Sequence, residues 1–169
     1  MNNPYQCVHW WLRPADANLV VKHIGNMKMG LYASDRYCSR YGVPSKIVDL
    51  RCHRTIAYGD MLSSLPENQW LLDNTCSSLC ILCSDSTMTR LKATLMGLGI
   101  SIQPHIFSAT NKNLCSLIKD APIADHEIWL VYHHDLRHIG RVRAVVDFIS
   151  STLKARLNGI LQEKYQASS

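Results

Sequence analysis

Residues 79–104, LCILCSDSTMTRLKATLMGLGISIQP, constrain the fold of this chain more than any other stretch. Leu79 to Cys83 is a short apolar run that reads as a buried strand, and Ser84, Asp85 and Ser86 break it. Asp85 is expected to cap a new helix, because its carboxylate accepts the unpaired N–H groups of a first turn. Met88, Leu91 and Leu95 then recur at helical spacing, with Arg90 and Lys92 off that stripe. Gly97 supplies the left-handed residue that ends the helix, Leu98 and Gly99 turn the chain, and Ile100 to Ile102 is a second strand stopped by Pro104. Strand, helix and strand in this order make a βαβ unit, so the strands are expected to be parallel and the crossover right-handed. In open α/β sheets ligands collect at the C-terminal strand ends, beside helix N-termini. Ser84, Asp85 and Ser86 occupy that place, and their hydroxyls with the helix N–H groups suit a small anion. Gln103 and Pro104 face the same edge.

The rest of the chain supplies more elements of the same kind. Strands are expected at Cys7–Leu12, Leu19–Ile24, Met27–Ala33, Arg54–Tyr58, Trp70–Leu72 and Ile128–His133, the last of them buried. Ser34 caps a short helix over Asp35–Arg40 that Gly42 and Pro44 terminate. Ile47–Leu50 is a tight connector, Gly59–Asn68 a polar loop, and His105–Ala109 one helical turn. Leu114–Ile118 leads into the Asp120–Ala121–Pro122 turn. From His138 to about Asn158, Ile139, Val142, Val146, Ile149, Leu153 and Leu157 form one stripe of an amphipathic helix that Gly159 ends. The fold class is therefore α/β with short connections.

Charge excludes some functions. The net charge is +5 over 169 residues, and Lys and Arg are dispersed. A nucleic-acid surface gathers its cations into a stripe, so no direct DNA or RNA binding is expected. No apolar segment approaches membrane-spanning length, and the first residues lack a signal-peptide pattern. A cytoplasmic location follows as the expectation, with the seven cysteines reduced rather than paired.

Two clusters invite a metal. Cys76, Cys80 and Cys83 have the C-x3-C-x2-C spacing at which three thiolates hold three irons of a [4Fe–4S] cluster. Strand alternation, however, puts Cys80 and Cys83 on opposite faces, and small buried cysteines fit the apolar run as well. His133, His134 and His138 with Asp135 suggest zinc, but adjacent histidines on a strand end point oppositely and no fourth ligand is set by spacing. No cofactor or metal is expected. A glycine-rich phosphate loop, a nucleophile elbow and a carboxylate pair at catalytic spacing are all missing from the sequence, so no catalytic residue is assigned.

Several stretches together resemble the effector-binding (substrate-binding) domain of LysR-type bacterial transcriptional regulators. They are LYASDRYCSRYGVPSKIVDLRCHRTI (residues 31–56), ATLMGLGISIQPHIF (93–107), IWLVYHHDLRHIGRVRAVVDFISS (128–151) and, upstream, WLRPADANLVVKHIG (11–25). The resemblance implies a periplasmic-binding-protein type II-like fold with one complete Rossmann-like lobe plus a partial second lobe. Residues 1–33 correspond to a remnant of regulatory lobe one including its crossover strand, and 34–127 to lobe two. Residues 128–158 are the return strand and closing helix of lobe one, and 159–169 a polar tail. It also implies that the chain is a truncated regulator without a helix-turn-helix. By the same likeness, the effector lies between lobes and touches the Ser84–Ser86 loop. Arg13 then ends a cleft-side strand and pairs with a carboxylate. The expected partners are a small, anionic metabolite and either a second copy or a full-length regulator of this kind. The alternatives are a non-functional remnant of such a regulator, or an iron–sulfur or metal protein built on Cys76, Cys80 and Cys83.

Overall fold

A computed structural model describes residues 18–166, with side chains to residue 157. The expected strand Cys7–Leu12 and the candidate Arg13 lie outside the described residues. The chain divides into two compact units, one of Lys28–Ala124 and one of the segments on either side of it.

The flanking unit joins β1 (Leu19–Met27) to β7 (His126–His133) as an antiparallel pair, with a register shift between His23 and Gly25. A 3-10 turn, His134–His138, leads into α5 (Gly140–Gln166). The helix passes through Gly159 rather than ending there, since one glycine costs a helix interior only about 1 kcal/mol. Leu157 packs so close to Gly25 that a Cβ there would sit 3.1 Å from its methyl carbon. β7 begins two residues earlier than expected and is half-exposed rather than buried, because among the described residues its only strand partner is β1.

The central unit is a five-stranded sheet in the order β4-β3-β5-β2-β6. Its strands are β2 (Met29–Ser34), β3 (Thr55–Ala57), β4 (Cys80–Cys83), β5 (Ile100–Pro104) and β6 (Leu114–Leu117). β3 runs parallel to both β4 and β5, so those two are parallel to each other with β3 between them. β2 is antiparallel to β5 and β6, and so pairs along both edges within this sheet. Leu31, Ile56, Ile100, Ile102 and Leu117 of its strands are buried, as are Tyr37, Leu50, Leu71 and Leu91 of the elements around it.

Helix α1 (Asp35–Tyr41) starts where Ser34 accepts the Tyr37 N–H, at 3.3 Å. A 3-10 segment, Ile47–Cys52, begins under Asp49, whose carboxylate takes the backbone N–H groups of Ser45 and Lys46. α2 spans Pro66–Asn74, so Trp70–Leu72 is helical rather than the expected strand. Pro66 at the first turn is compatible with a helix start, and the buried face is Glu67, Asn68 and Leu71, which carries little apolar signal. α3 (Thr87–Leu95) ends at Gly97, with φ at +78°, the left-handed conformation anticipated for it. Its buried face is Arg90, Leu91, Ala93 and Thr94, whereas Met88 is exposed, so the stripe is rotated from the one read from spacing. Gly99 allows close approach, since a Cβ would stand 2.8 Å from the Arg54 carbonyl oxygen. The chain closes the unit through α4 (Ile106–Thr110) and β6.

Candidate functional site

Because β3, β4 and β5 are parallel, their C-terminal ends share one sheet edge. There Tyr58 and Gly59 follow β3, Ser84–Ser86 follow β4, and Pro104 and His105 close β5. The Ser84 N–H donates to the Ala57 carbonyl at 3.2 Å, tying the β4 loop to the end of β3. The Ser84 hydroxyl oxygen accepts the Ser86 N–H at 3.2 Å. Ser86, not Asp85, caps α3: its hydroxyl oxygen accepts the Thr89 N–H at 3.3 Å.

Asp85 is turned to the neighbouring loop. Its carboxylate accepts the Leu62 N–H at 3.1 Å, organising the 3-10 turn Asp60–Leu62. A Cβ on Gly59 would fall 2.6 Å from the same carboxylate, so glycine is what lets Asp85 lie there.

The loop rests on a charge that spacing missed. Arg90 is 1% exposed. Its guanidinium donates to the Ser84 carbonyl at 2.6 Å and to the Thr87 hydroxyl at 3.2 Å. The guanidinium carbon lies 3.7 Å from the centre of the Tyr58 ring. Burial works against this cation, while Tyr58, Asp85 and Glu67 favour it. Burial and the Glu67 carboxylate push the Tyr58 phenol well above its ordinary range. Asn68 completes the frame by accepting the Tyr58 N–H at 3.0 Å and donating to the Ser63 carbonyl at 3.0 Å. The one signal for this network was Arg90 itself, a cation one helical turn below a cap and four residues before Thr94 on the same helix face.

Gln103 is fully buried and Pro104 is buried inside the unit. The Gln103 amide donates to the Ser101 hydroxyl at 3.0 Å, which is itself 2.6 Å from the Thr94 hydroxyl. On the adjoining strand, the Tyr32 hydroxyl meets His105 Nδ1 at 2.5 Å and donates to the Ser108 hydroxyl at 3.2 Å. The structure thus brings Ser84, Asp85 and Ser86 to one loop, with Gln103 and Pro104 in the sheet beneath the same edge.

Neither metal candidate assembles a full ligand set among the described residues. Cys76 is exposed and lies 3.0 Å from the Ser78 hydroxyl. The sulfurs of Cys80 and Cys83 stand 3.5 Å apart, contrary to strand alternation. The register explains this: Thr55 faces Cys80 and Ile56 faces Leu82, so Ile81 is skipped and the pair is returned to one face. His133 and His134 do not point oppositely either. Their Nδ1 atoms lie 3.4 and 3.8 Å from the Asp135 carboxylate, because His134 already belongs to the 3-10 turn. Among the described residues, no three His, Cys, Asp or Glu side chains gather to hold a metal ion. Nor, among them, is any helix long and apolar enough to cross a membrane.

The mixed central sheet, whose parallel strand ends meet a capped helix, is an open α/β architecture. Over residues 7–154 the sequence matches the family described as LysR substrate binding domain, and the chain belongs to that family. Solved structures share the fold. The regulatory domain of CrgA, a LysR-type transcriptional regulator from Neisseria meningitidis, superposes with a TM-score of 0.64 at 19% identity, covering 87% of this chain and 72% of that one. A structure of CrgA gives 0.66 at 18%, covering 82% of this chain and 49% of that one. The full-length Vibrio cholerae virulence activator AphB gives 0.60 at 23%, covering 80% and 48%. The chain therefore spans about half the length of those two regulators. No curated protein sequence matches it.

Proposed function

We propose that the chain is a non-enzymatic effector-binding module that takes a small, anionic metabolite at the Ser84–Ser86 loop. The observation that carries this reading is the loop's construction. A buried guanidinium holds the Ser84 carbonyl and Thr87 from below, so two serine hydroxyls stand at a strand end and a helix N-terminus already ordered. A preorganised loop loses little entropy on binding, and a helix N-terminus above a buried cation favours negative charge. Asp85 acts here by positioning the Asp60–Leu62 turn. Gln103 and Pro104 support the sheet edge, and Arg13, outside the described residues, is a candidate by resemblance alone.

In this reading residues 34–127 are regulatory lobe two, while 1–33 and 128–158 contribute to lobe one and 159–169 form a tail. Regulation passes through a second copy or a full-length LysR-type regulator, since dispersed cations give this chain no DNA-binding surface of its own. Thermal melting of the purified chain with a panel of small mono- and dicarboxylates tests the proposal, with light scattering to count subunits. One carboxylate should raise Tm in proportion to the logarithm of its concentration, and Ser84→Ala should weaken that rise. A cooperative melt that no carboxylate moves would overturn the anionic-effector reading and leave the remnant alternative.

A further inference from the structure

We propose that Cys80 and Cys83 form a two-thiolate site for a soft monovalent d10 cation, copper(I), on the exposed edge of the five-stranded sheet. The pair owes its geometry to the skipped residue Ile81 in the β3–β4 register, which brings two sulfurs three residues apart onto one face, 3.5 Å from each other. Among the described residues β4 is the last strand of the sheet, so none of them pairs along its outer edge. Cys83 is exposed and Cys80 half-buried, which leaves the pair open to solvent on one side.

The donor set selects the cation. Thiolates prefer soft metals such as copper(I), zinc and iron–sulfur clusters. Zinc in structural sites takes four protein ligands, and clusters take three or four. Among the described residues no third His, Cys, Asp or Glu joins the two sulfurs. Cys76, the remaining cysteine of the motif, is engaged with Ser78. Copper(I), satisfied by two thiolates, is the member of the series that this pair can hold alone.

The chemistry is a ligand exchange without change of oxidation state. Two S–H bonds and the bonds from copper to its previous donor ligands break, two copper–sulfur bonds form, two protons pass to solvent, and the previous ligands leave free.

The test titrates the reduced chain, without oxygen, against copper(I) held by the chromophoric chelator bicinchoninate. The chain should withdraw one equivalent. Cys80→Ser and Cys83→Ser should each abolish that withdrawal, and Cys76→Ser should leave it intact. Alkylation with iodoacetamide, mapped by peptide mass on the unmutated chain, provides a readout independent of folding: copper(I) should shield Cys80 and Cys83 and leave Cys76 reactive. Withdrawal that survives both serine variants, or shielding that falls on any other cysteine instead, would overturn the assignment.

Discussion

Arg90→Met is the substitution whose cost the structure specifies most fully. It removes a charge-assisted bond of 2.6 Å to the Ser84 carbonyl and one of 3.2 Å to Thr87. It also removes a guanidinium 3.7 Å above the Tyr58 ring. Methionine restores most of the apolar contact of the arginine stem, so the loss is electrostatic. Glu67, 1% exposed, then keeps its carboxylate in the interior without the cation that favours it. Removing one partner of a buried charged network costs about 3–5 kcal/mol, a large share of the roughly 5–15 kcal/mol that holds a domain folded. With a urea dependence of about 1–3 kcal/mol per molar, the midpoint should fall by about 2 M, read by far-ultraviolet circular dichroism. Adding Glu67→Gln removes the stranded charge, so the double variant should be more stable than additivity requires by at least about 1 kcal/mol. An Arg90→Met chain within about 1 kcal/mol of the parent, or strict additivity in the double variant, would refute the reasoning.

Three further perturbations follow from single contacts. Gly99→Ala places a Cβ 2.8 Å from the Arg54 carbonyl oxygen, which also accepts the Ile100 N–H at 2.8 Å, so the β3–β5 seam must shift. A loss of about 1–3 kcal/mol in urea unfolding is expected. Ile118 carries φ at +42°, a conformation costly for a β-branched residue. Ile118→Gly should therefore stabilise the chain by up to about 1 kcal/mol despite glycine's entropy, and an unchanged or lower urea midpoint would count against that strain. Burial holds the His53 imidazole below its ordinary range. The Tyr37 hydroxyl accepts the Arg54 N–H at 2.9 Å and so donates to His53 Nδ1 at 3.1 Å. The unfolded chain then binds the extra proton first, so stability is full above about pH 6.5 and falls as pH drops below it, by at most about 1.4 kcal/mol per pH unit. His53→Gln should flatten that slope in melts between about pH 5 and 7.

What could be read from residue order was the part governed by local backbone rules. Gly97 turns left-handed, Ser34 caps α1, and the strand–helix–strand stretch forms with parallel strands. What could not be read was whatever depends on a partner distant in sequence. β3 lies between β4 and β5 because strand order is a tertiary choice that leaves no mark on residues 79–104. α2 was hidden because Glu67 and Asn68 face inward, where they meet Tyr58 and Arg90 from other elements, so apolar periodicity is absent. Arg90 falls off the apolar stripe read from spacing, yet it is buried for the same reason. Asp85 satisfies every local rule for an N-cap, yet Gly59 offers it a cleft and Leu62 an unpaired N–H, and Ser86 takes the cap. The two cysteines were misplaced because a single skipped residue inverts strand alternation.

Asp85 also provides the test that separates a residue which contacts a ligand from one which shapes the loop around it. Asp85→Asn keeps an oxygen to accept the Leu62 N–H and keeps the side-chain volume beside Gly59, so stability should change by less than about 1 kcal/mol. It removes one negative charge from the sheet edge. For an anion about 7 Å away, Coulomb's law with an effective dielectric of about 20–80 gives about 0.6–2.4 kcal/mol of relieved repulsion. Once a carboxylate that raises Tm is in hand, calorimetric titration should show it binding Asp85→Asn roughly 3- to 50-fold more tightly than the parent, with less gain at high salt as screening takes over. If Asp85 instead accepts a hydrogen bond from the ligand, the same substitution weakens binding. The sign of one measured ratio therefore decides which role the carboxylate has, and a weaker complex would return Asp85 to the set of contact residues.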